Sequence, residues 1–190
     1  MIALQALPPI PNWTELHPLV IHFPIALLLV APLLIVGALL VNPLKGRPFL
    51  ITALVLMVLG TAGTFLAVAT GEAAGELVQR TAAVSAVLER HEDLGKTTRI
   101  VFSVLTLIFA ALLFLPRLFM RVATDASARI LPLAFLLFYC AGAVVLVNTA
   151  HNGGRLVHEL GIHAGFAPST ETSTAPASDS STARKVKTER

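Results

Sequence analysis

Four long stretches of the chain carry no Asp, Glu, Lys or Arg. They are residues 16–44, 48–71, 100–116 and 130–154. Because about 20 apolar residues span a bilayer as a helix, each stretch predicts a transmembrane helix. The third stretch is short, but Arg99 and Arg117 can extend it by reaching outward to the membrane interface. The predicted helices cover about 17–41, 49–71, 98–117 and 130–152.

Short connections join the first helix to the second and the third to the fourth. Turn signals at Asn42-Pro43 and Gly46-Arg47-Pro48 make the first connection tight. Since short links place neighbouring helices antiparallel, we predict an all-α, polytopic membrane protein with an up-down bundle of four transmembrane helices. The composition agrees, with 55% hydrophobic and 13% charged residues and a mean hydropathy of +0.79.

The polar segment 72–97 separates the second and third helices. It is rich in Ala and Glu and lacks proline, which favours a helix. Spacing of its apolar residues indicates an amphipathic helix. We predict a periplasmic lid helix over about 72–96, lying across the outer mouth of the bundle, with Arg80 and His91 on its apolar face.

The basic residues of the loops predict the orientation. The two short connections contain Lys45, Arg47, Arg117, Arg121 and Arg129. A high density of Lys and Arg in short loops indicates the cytoplasmic side. We therefore expect both termini on the periplasmic side of the inner (plasma) membrane. The membrane domain covers 1–166, and the Ser/Thr/Pro/Ala-rich tail 167–190 is predicted to be disordered.

Histidines supply the candidate chemistry, and in this orientation all six lie on the periplasmic side. They are His17, His22, His91, His151, His158 and His163. His22 lies about one turn inside the first helix, where an unpaired imidazole costs free energy, so we interpret it as functional. His151 ends the fourth apolar run. His91 projects from the apolar face of the lid helix.

A b-type haem would use such histidines. It needs an axial imidazole from each of two facing helices, apolar walls, and cations near its propionates. We predict His22 and His151 as the axial pair, with His91 as the substitute for either. His17 and His158 are further cofactor-binding candidates. The candidate propionate partners are Arg80, Arg99 and Arg155.

Small residues recur at every fourth position of the second helix. Gly63, Ala67, Gly71 and Gly75 make a strip without large side chains. The strip admits either a close helix neighbour or a flat macrocycle, so Gly63 and Gly71 join the cofactor-binding candidates.

Other interpretations of the same residues stay open. His22 can be a hydrogen-bonded histidine, His17 an interfacial residue at a helix start, and Arg155 an anchor to lipid phosphate. A zinc or copper site built from His22, His91 and His151 is a further possibility. Hydrolase, zinc-protease and phosphate-loop motifs are absent from the sequence, so we assign no catalytic residue. We also expect no nucleic-acid partner.

Three short motifs carry a family resemblance over about residues 12–165. They are His17-Pro18 followed by His22-Phe23-Pro24-Ile25, then Thr70-Gly71-x-Ala73-Ala74-Gly75, and finally Gly153-Gly154-x-Leu156-Val157-His158. Together they resemble a family of bacterial four-helix membrane proteins, domain of unknown function 2231. In that family the closing motif often has Tyr where His158 stands. Some relatives accompany c-type cytochrome modules and respiratory oxidase genes, so the resemblance implies a redox setting.

The sequence therefore leads to three functional hypotheses. The first is a small haem-b-like electron-transfer or redox-associated protein with a histidine site at the periplasmic face. The alternative is a non-catalytic interaction subunit or assembly factor of a respiratory complex, with cytochrome or oxidase subunits as partners. The third is a zinc or copper site.

Overall fold

Four long α-helices make up most of the part of the chain that the structure describes. The computed structural model describes residues 12–41, 43–118 and 125–162. After a short 3-10 helix at Trp13–Glu15 come α1 (His17–Leu40), α2 (Pro43–Gly75), α3 (Ala82–Leu118) and α4 (Asp125–His158). Each helix includes a stretch long and apolar enough to cross a membrane. The predicted all-α, four-helix membrane fold is confirmed.

Consecutive helices pack side by side, and α4 closes the ring against α1. Near the middle of the bundle, the Tyr139 hydroxyl of α4 donates to the Leu28 carbonyl of α1 at 2.7 Å. Near the end where α4 begins, Arg129 donates to the carbonyl of Leu39 at 3.4 Å. In this ring α1 and α3 lie diagonally opposite each other, and so do α2 and α4.

Large side chains fill the middle of the bundle. The Phe102 ring meets the Tyr139 ring at a centroid distance of 5.5 Å, and Phe109 stacks on Phe135 at 4.7 Å. The outer surface is also apolar, because Leu, Val and Phe side chains on all four helices are exposed. An apolar exterior around a packed apolar core suits a chain surrounded by lipid.

The segment predicted as a lid is organised differently. Instead of a separate helix over 72–96, α2 continues to Gly75, a connection covers 76–81, and α3 begins at Ala82. Thr81 accepts the backbone N–H of Val84 at 3.3 Å and so caps the start of α3. Helix α3 then passes without a break through the boundary predicted near residue 98, and His91 lies inside it. The prediction of a separate lid helix is therefore wrong, because it did not recognise Thr81 as the cap of α3.

Two more helix ends differ from the prediction. Helix α2 begins at Pro43 rather than near 49, since a proline at the first position loses no helical hydrogen bond. Helix α4 continues through Gly153-Gly154 to His158 rather than ending near 152. The predicted tail 167–190, His163 and Arg121 lie outside the described residues.

Candidate functional site

Two histidines meet at the end of the bundle where α1 and α3 begin and α2 and α4 end. The ring centroids of His17 and His91 are 6.2 Å apart, and the ring planes cross at 82°. Both side chains are half-buried. We call these two residues the histidine pair. They reach each other from diagonally opposite helices, so the pair lies between all four helices.

The His17 ring is held by the backbone of α2. Its Nδ1 lies 2.9 Å from the Ala67 carbonyl oxygen and 3.3 Å from the Thr70 hydroxyl. A carbonyl oxygen only accepts hydrogen bonds, so Nδ1 carries the proton and donates it. In a neutral imidazole this leaves the lone pair on Nε2.

The His91 ring is held in the same way by α4. Its Nδ1 donates to the Thr149 carbonyl at 3.0 Å, which again leaves the lone pair on Nε2. The Thr149 side chain is itself fixed by a hydrogen bond to the Thr98 hydroxyl at 2.7 Å. Both rings of the pair therefore have the same tautomer.

A glycine lies against each ring. A Cβ atom on Gly71 would be 2.8 Å from Cε1 of His17, and one on Gly153 would be 2.9 Å from Cε1 of His91. Real side chains do not come that close, so any larger residue would displace the ring. Each glycine follows the accepting carbonyl by four residues in its helix.

The Nε2 atoms of the two rings are not fully buried. Among the described residues, every fully buried side-chain nitrogen or oxygen has a hydrogen-bond partner. No partner in that part of the chain is found for Nε2 of His17 or His91, so neither atom is fully buried. The histidine pair thus has two unprotonated Nε2 atoms that are not fully buried.

Comparison with known proteins assigns the chain to a family. A family model described as predicted membrane protein (DUF2231) matches residues 14–165. That range includes all four helices and the histidine pair. The chain belongs to this family. Among curated proteins and among solved structures, none matches the chain.

The axial pair predicted for this DUF2231 protein is not the pair that the fold brings together. His22 and His151 are both exposed on the outside of the bundle. His22 lies five residues after the inward-facing His17, about 140° around the helix, and its Nδ1 bonds to the Pro18 carbonyl of the same helix at 2.6 Å. His151 lies two residues after Thr149, about 200° around α4.

The remaining predicted residues lie outside the histidine pair. His158 is exposed, as is Arg80 in the connection between α2 and α3. The guanidinium of Arg99 covers the Phe65 ring at 5.4 Å, and Arg155 pairs with Glu159 at 2.9 Å. Their role as propionate partners stays a prediction.

The small-residue strip of α2 packs against α1 at Gly63 and against Leu88 and Glu92 of α3 at Gly75. A Cβ on Gly63 would lie 3.2 Å from Pro24, and Gly60 contacts Leu28 in the same manner. Of the two interpretations of the strip, close helix packing describes Gly63. Gly71, one turn before the end of the strip, faces the His17 ring.

The proposed three-histidine metal set is not assembled. Within residues 12–41, 43–118 and 125–162, no three His, Cys, Asp or Glu side chains lie close enough to hold one metal ion. His91 is inside the bundle, whereas His22 and His151 are on its surface. The site that the described residues do form contains two imidazoles, not three.

Proposed function

We propose that His17 and His91 are the two protein ligands of one redox-active metal centre, and that the centre is a haem iron. The protein is then a small electron carrier of the bacterial inner membrane, with its site at the periplasmic face. The observation that carries the proposal is the pair of Nδ1-anchored imidazoles with ring centroids 6.2 Å apart.

The spacing of the rings fits one metal ion between them. A metal–imidazole bond is about 2 Å long and a ring nitrogen lies roughly 1 Å from its ring centre, so two axial imidazoles have centroids about 6 Å apart. The observed 6.2 Å agrees with this value.

The number of ligands favours haem over zinc. Zinc in proteins takes three or four protein ligands, whereas a porphyrin supplies four equatorial nitrogens and needs only two axial ligands. His17 and His91 come from separate helices, as in other helical bundles that hold a cofactor between facing helices.

The hydrogen bonds of the rings also suit metal ligands. A histidine that binds a metal through one nitrogen usually donates its other N–H to a carbonyl or carboxylate, which fixes the tautomer and the ring orientation. Ala67 and Thr149 supply such carbonyls at 2.9 and 3.0 Å. When bound, haem iron would supply one-electron chemistry, while this chain would orient the two ligands.

Copper is the second candidate, and the cavities of the bundle favour it. One surface groove of the described part of the chain lies beside His151 on α4, and another beside Gly63 between α1 and α2. Neither includes a residue of the histidine pair. A bare ion held by two imidazoles needs no slot for a macrocycle, and imidazole is a good copper ligand.

Optical spectroscopy and metal analysis test both candidates. The full chain is expressed with haem and copper supplied, then purified in mild detergent. We expect one haem per chain and a Soret band, which His17→Ala or His91→Ala abolishes. His22→Ala and His158→Ala are matched controls that keep the band, because both side chains are exposed.

The other outcomes decide against haem. If the chain binds one copper that is lost in His17→Ala and His91→Ala but retained in the controls, the proposed metal centre is copper and not haem. If neither haem nor metal accompanies the wild-type chain, the redox proposal fails. Co-purification with cytochrome or oxidase subunits would then support the interaction or assembly role.

A further inference from the structure

The two halves of the bundle pack glycines in the same pattern. The first hairpin is α1–α2 and the second is α3–α4. In the first, Gly60 contacts Leu28 and Gly71 contacts His17. In the second, a Cβ on Gly142 would lie 2.8 Å from Leu105, 3.2 Å from Val101 and 3.7 Å from Phe102, and Gly153 contacts His91.

The contacts that these glycines make with Leu28, Phe102 and the two histidines have the same spacing in both hairpins. Gly71 follows Gly60 by eleven residues, and Gly153 follows Gly142 by eleven. Leu28 follows His17 by eleven, and Phe102 follows His91 by eleven. Eleven residues are about three helical turns, so both contacts of a hairpin lie on one face.

The buried positions follow the same register. In α1 and α3, three buried residues are spaced by three and then four, namely Leu28, Ala31 and Ile35 against Phe102, Leu105 and Phe109. In α2 and α4, the spacing is four and then seven, namely Ala53, Met57 and Thr64 against Phe135, Tyr139 and Leu146. Different side chains thus fill equivalent places in the two hairpins.

Each hairpin also holds one imidazole by the same three parts. These are the histidine ring, a helix carbonyl that accepts its Nδ1–H, and a glycine four residues after that carbonyl. We call this unit the imidazole cradle: His17, Ala67 and Gly71 in the first hairpin, and His91, Thr149 and Gly153 in the second. The carbonyl already accepts the N–H of the glycine within the helix, and its second lone pair takes the imidazole.

We infer that the bundle is a tandem repeat of one helical hairpin and that Gly71 and Gly153 are equivalent positioning residues, one for each imidazole. Both hairpins begin at the same end of the bundle, so they are parallel repeats related by a two-fold axis along the helices. The axis passes between His17 and His91. A ligand of the pair therefore meets two equivalent nitrogens, one from each repeat. The inference concerns the free protein and holds whether or not a metal binds.

Side-chain NMR of the metal-free full chain tests the cradles directly. With ¹⁵N-labelled histidine in detergent, we expect His17 and His91 as pure Nδ1–H tautomers, identified by the signals lost in His17→Ala and His91→Ala. Gly71→Ala should change the tautomer signal of His17 alone, and Gly153→Ala that of His91 alone. Gly154→Ala is the matched control, because a Cβ there meets nothing within 4 Å.

A double-substitution cycle separates ring positioning from general helix packing. Gly71→Ala should lower the melting temperature of the otherwise natural chain, and most of that loss should vanish in the His17→Ala background, where the ring is absent. His91→Ala should not relieve it. The second cradle should behave in the same way, with Gly153→Ala relieved by His91→Ala.

Three results would overturn the inference. The first is an Nε2–H tautomer for either ring in the metal-free protein. The second is a loss from Gly71→Ala that is equally large without the His17 ring. The third is a loss in melting temperature that removal of the histidine ring relieves in one hairpin but not in the other. Failure to bind haem or copper changes none of these measurements, so it counts only against the proposed function.

Discussion

At the residue scale, Tyr139 completes a hydrogen bond that α1 cannot make by itself. In an α-helix the Leu28 carbonyl would accept from the residue four positions on, which is Pro32 and has no N–H. The Tyr139 hydroxyl donates to this carbonyl at 2.7 Å instead. Both groups are inside the bundle, where water cannot replace the bond. The tyrosine in α4 therefore supplies the hydrogen-bond donor that the proline in α1 lacks.

Tyr139→Phe should destabilise the protein by about 1–2 kcal/mol, because the Leu28 carbonyl loses its donor in an apolar interior. The ring and its contacts with Phe102 and Phe135 remain. Reversible denaturation in detergent measures the change. Phe138→Leu is the control, since that side chain is 70% exposed and should alter stability by less than about 0.5 kcal/mol. Equal stability of Tyr139→Phe and the natural chain would contradict this account.

At the element scale, the glycines of the helices differ in what surrounds them. Gly95 lies inside α3, and a Cβ there meets only Val68 at 3.8 Å, an ordinary contact. Gly142 lies inside α4, where a Cβ would be 2.8 Å from the Leu105 side chain. The first glycine costs helix stability without a packing reason, whereas the second permits α3 and α4 to approach each other.

The same substitution should thus have opposite effects in the two helices. Gly95→Ala should stabilise the protein by about 0.5–1 kcal/mol, because alanine loses less backbone entropy in a helix. Gly142→Ala should destabilise it by about 1–3 kcal/mol through overpacking. Thermal unfolding of both variants in one detergent gives the comparison. If the two alanines shift the melting temperature in the same direction, the packing argument is wrong.

Helix boundaries show what a pattern of apolar residues can reveal about an element. The four apolar runs locate the spans, because crossing a bilayer requires about 20 apolar residues whatever the neighbours are. The polar segment after α2 is less constrained. Thr81 caps a helix that runs from Ala82 into the transmembrane part of α3, so no separate lid forms. Lys96 pairs with Glu72 of α2 at 3.6 Å, but both side chains are exposed and the pair adds little stability.

At the scale of the whole molecule, the up-down order places the start of α1 and the end of α4 at the same end of the bundle. The histidine pair lies at this end, and the helix ends that flank the connections 41–42 and 119–124 lie at the other. The basic residues near those connections predict that they face the cytoplasm. The histidine pair would then face the periplasm.

Reporter fusions test this orientation. An alkaline phosphatase that is active only outside the cytoplasm should be active when fused after residue 190 and inactive when inserted in the connection 119–124. Removing the basic residues of the two short connections, for example by Lys45→Gln with Arg47→Gln, should weaken the preference for this orientation in the membrane. The reverse pattern of activity would place the histidine pair on the cytoplasmic side and exclude a periplasmic electron partner.

The candidate site was only partly predictable. Histidines at one end of the bundle follow from the positions of His17, His91 and His151 relative to the apolar runs. Which of these histidines form the pair depends on the direction in which each ring points. The apolar pattern does not predict that direction, because lipid and core are both apolar. His17 shares the buried register of Pro24, Leu28 and Ile35, whereas His22 lies on the lipid face.

The sequence by itself determined the number of helices, their order and the family, because membrane spans are set by length and hydropathy along the chain. Only the tertiary structure decided that His17 and His91 form the pair. Their rings are anchored by carbonyls of other helices, and their position against Gly71 and Gly153 depends on how closely those helices pack. Residues 50 or more positions apart meet there, and no local pattern records which faces of the four helices turn toward one another.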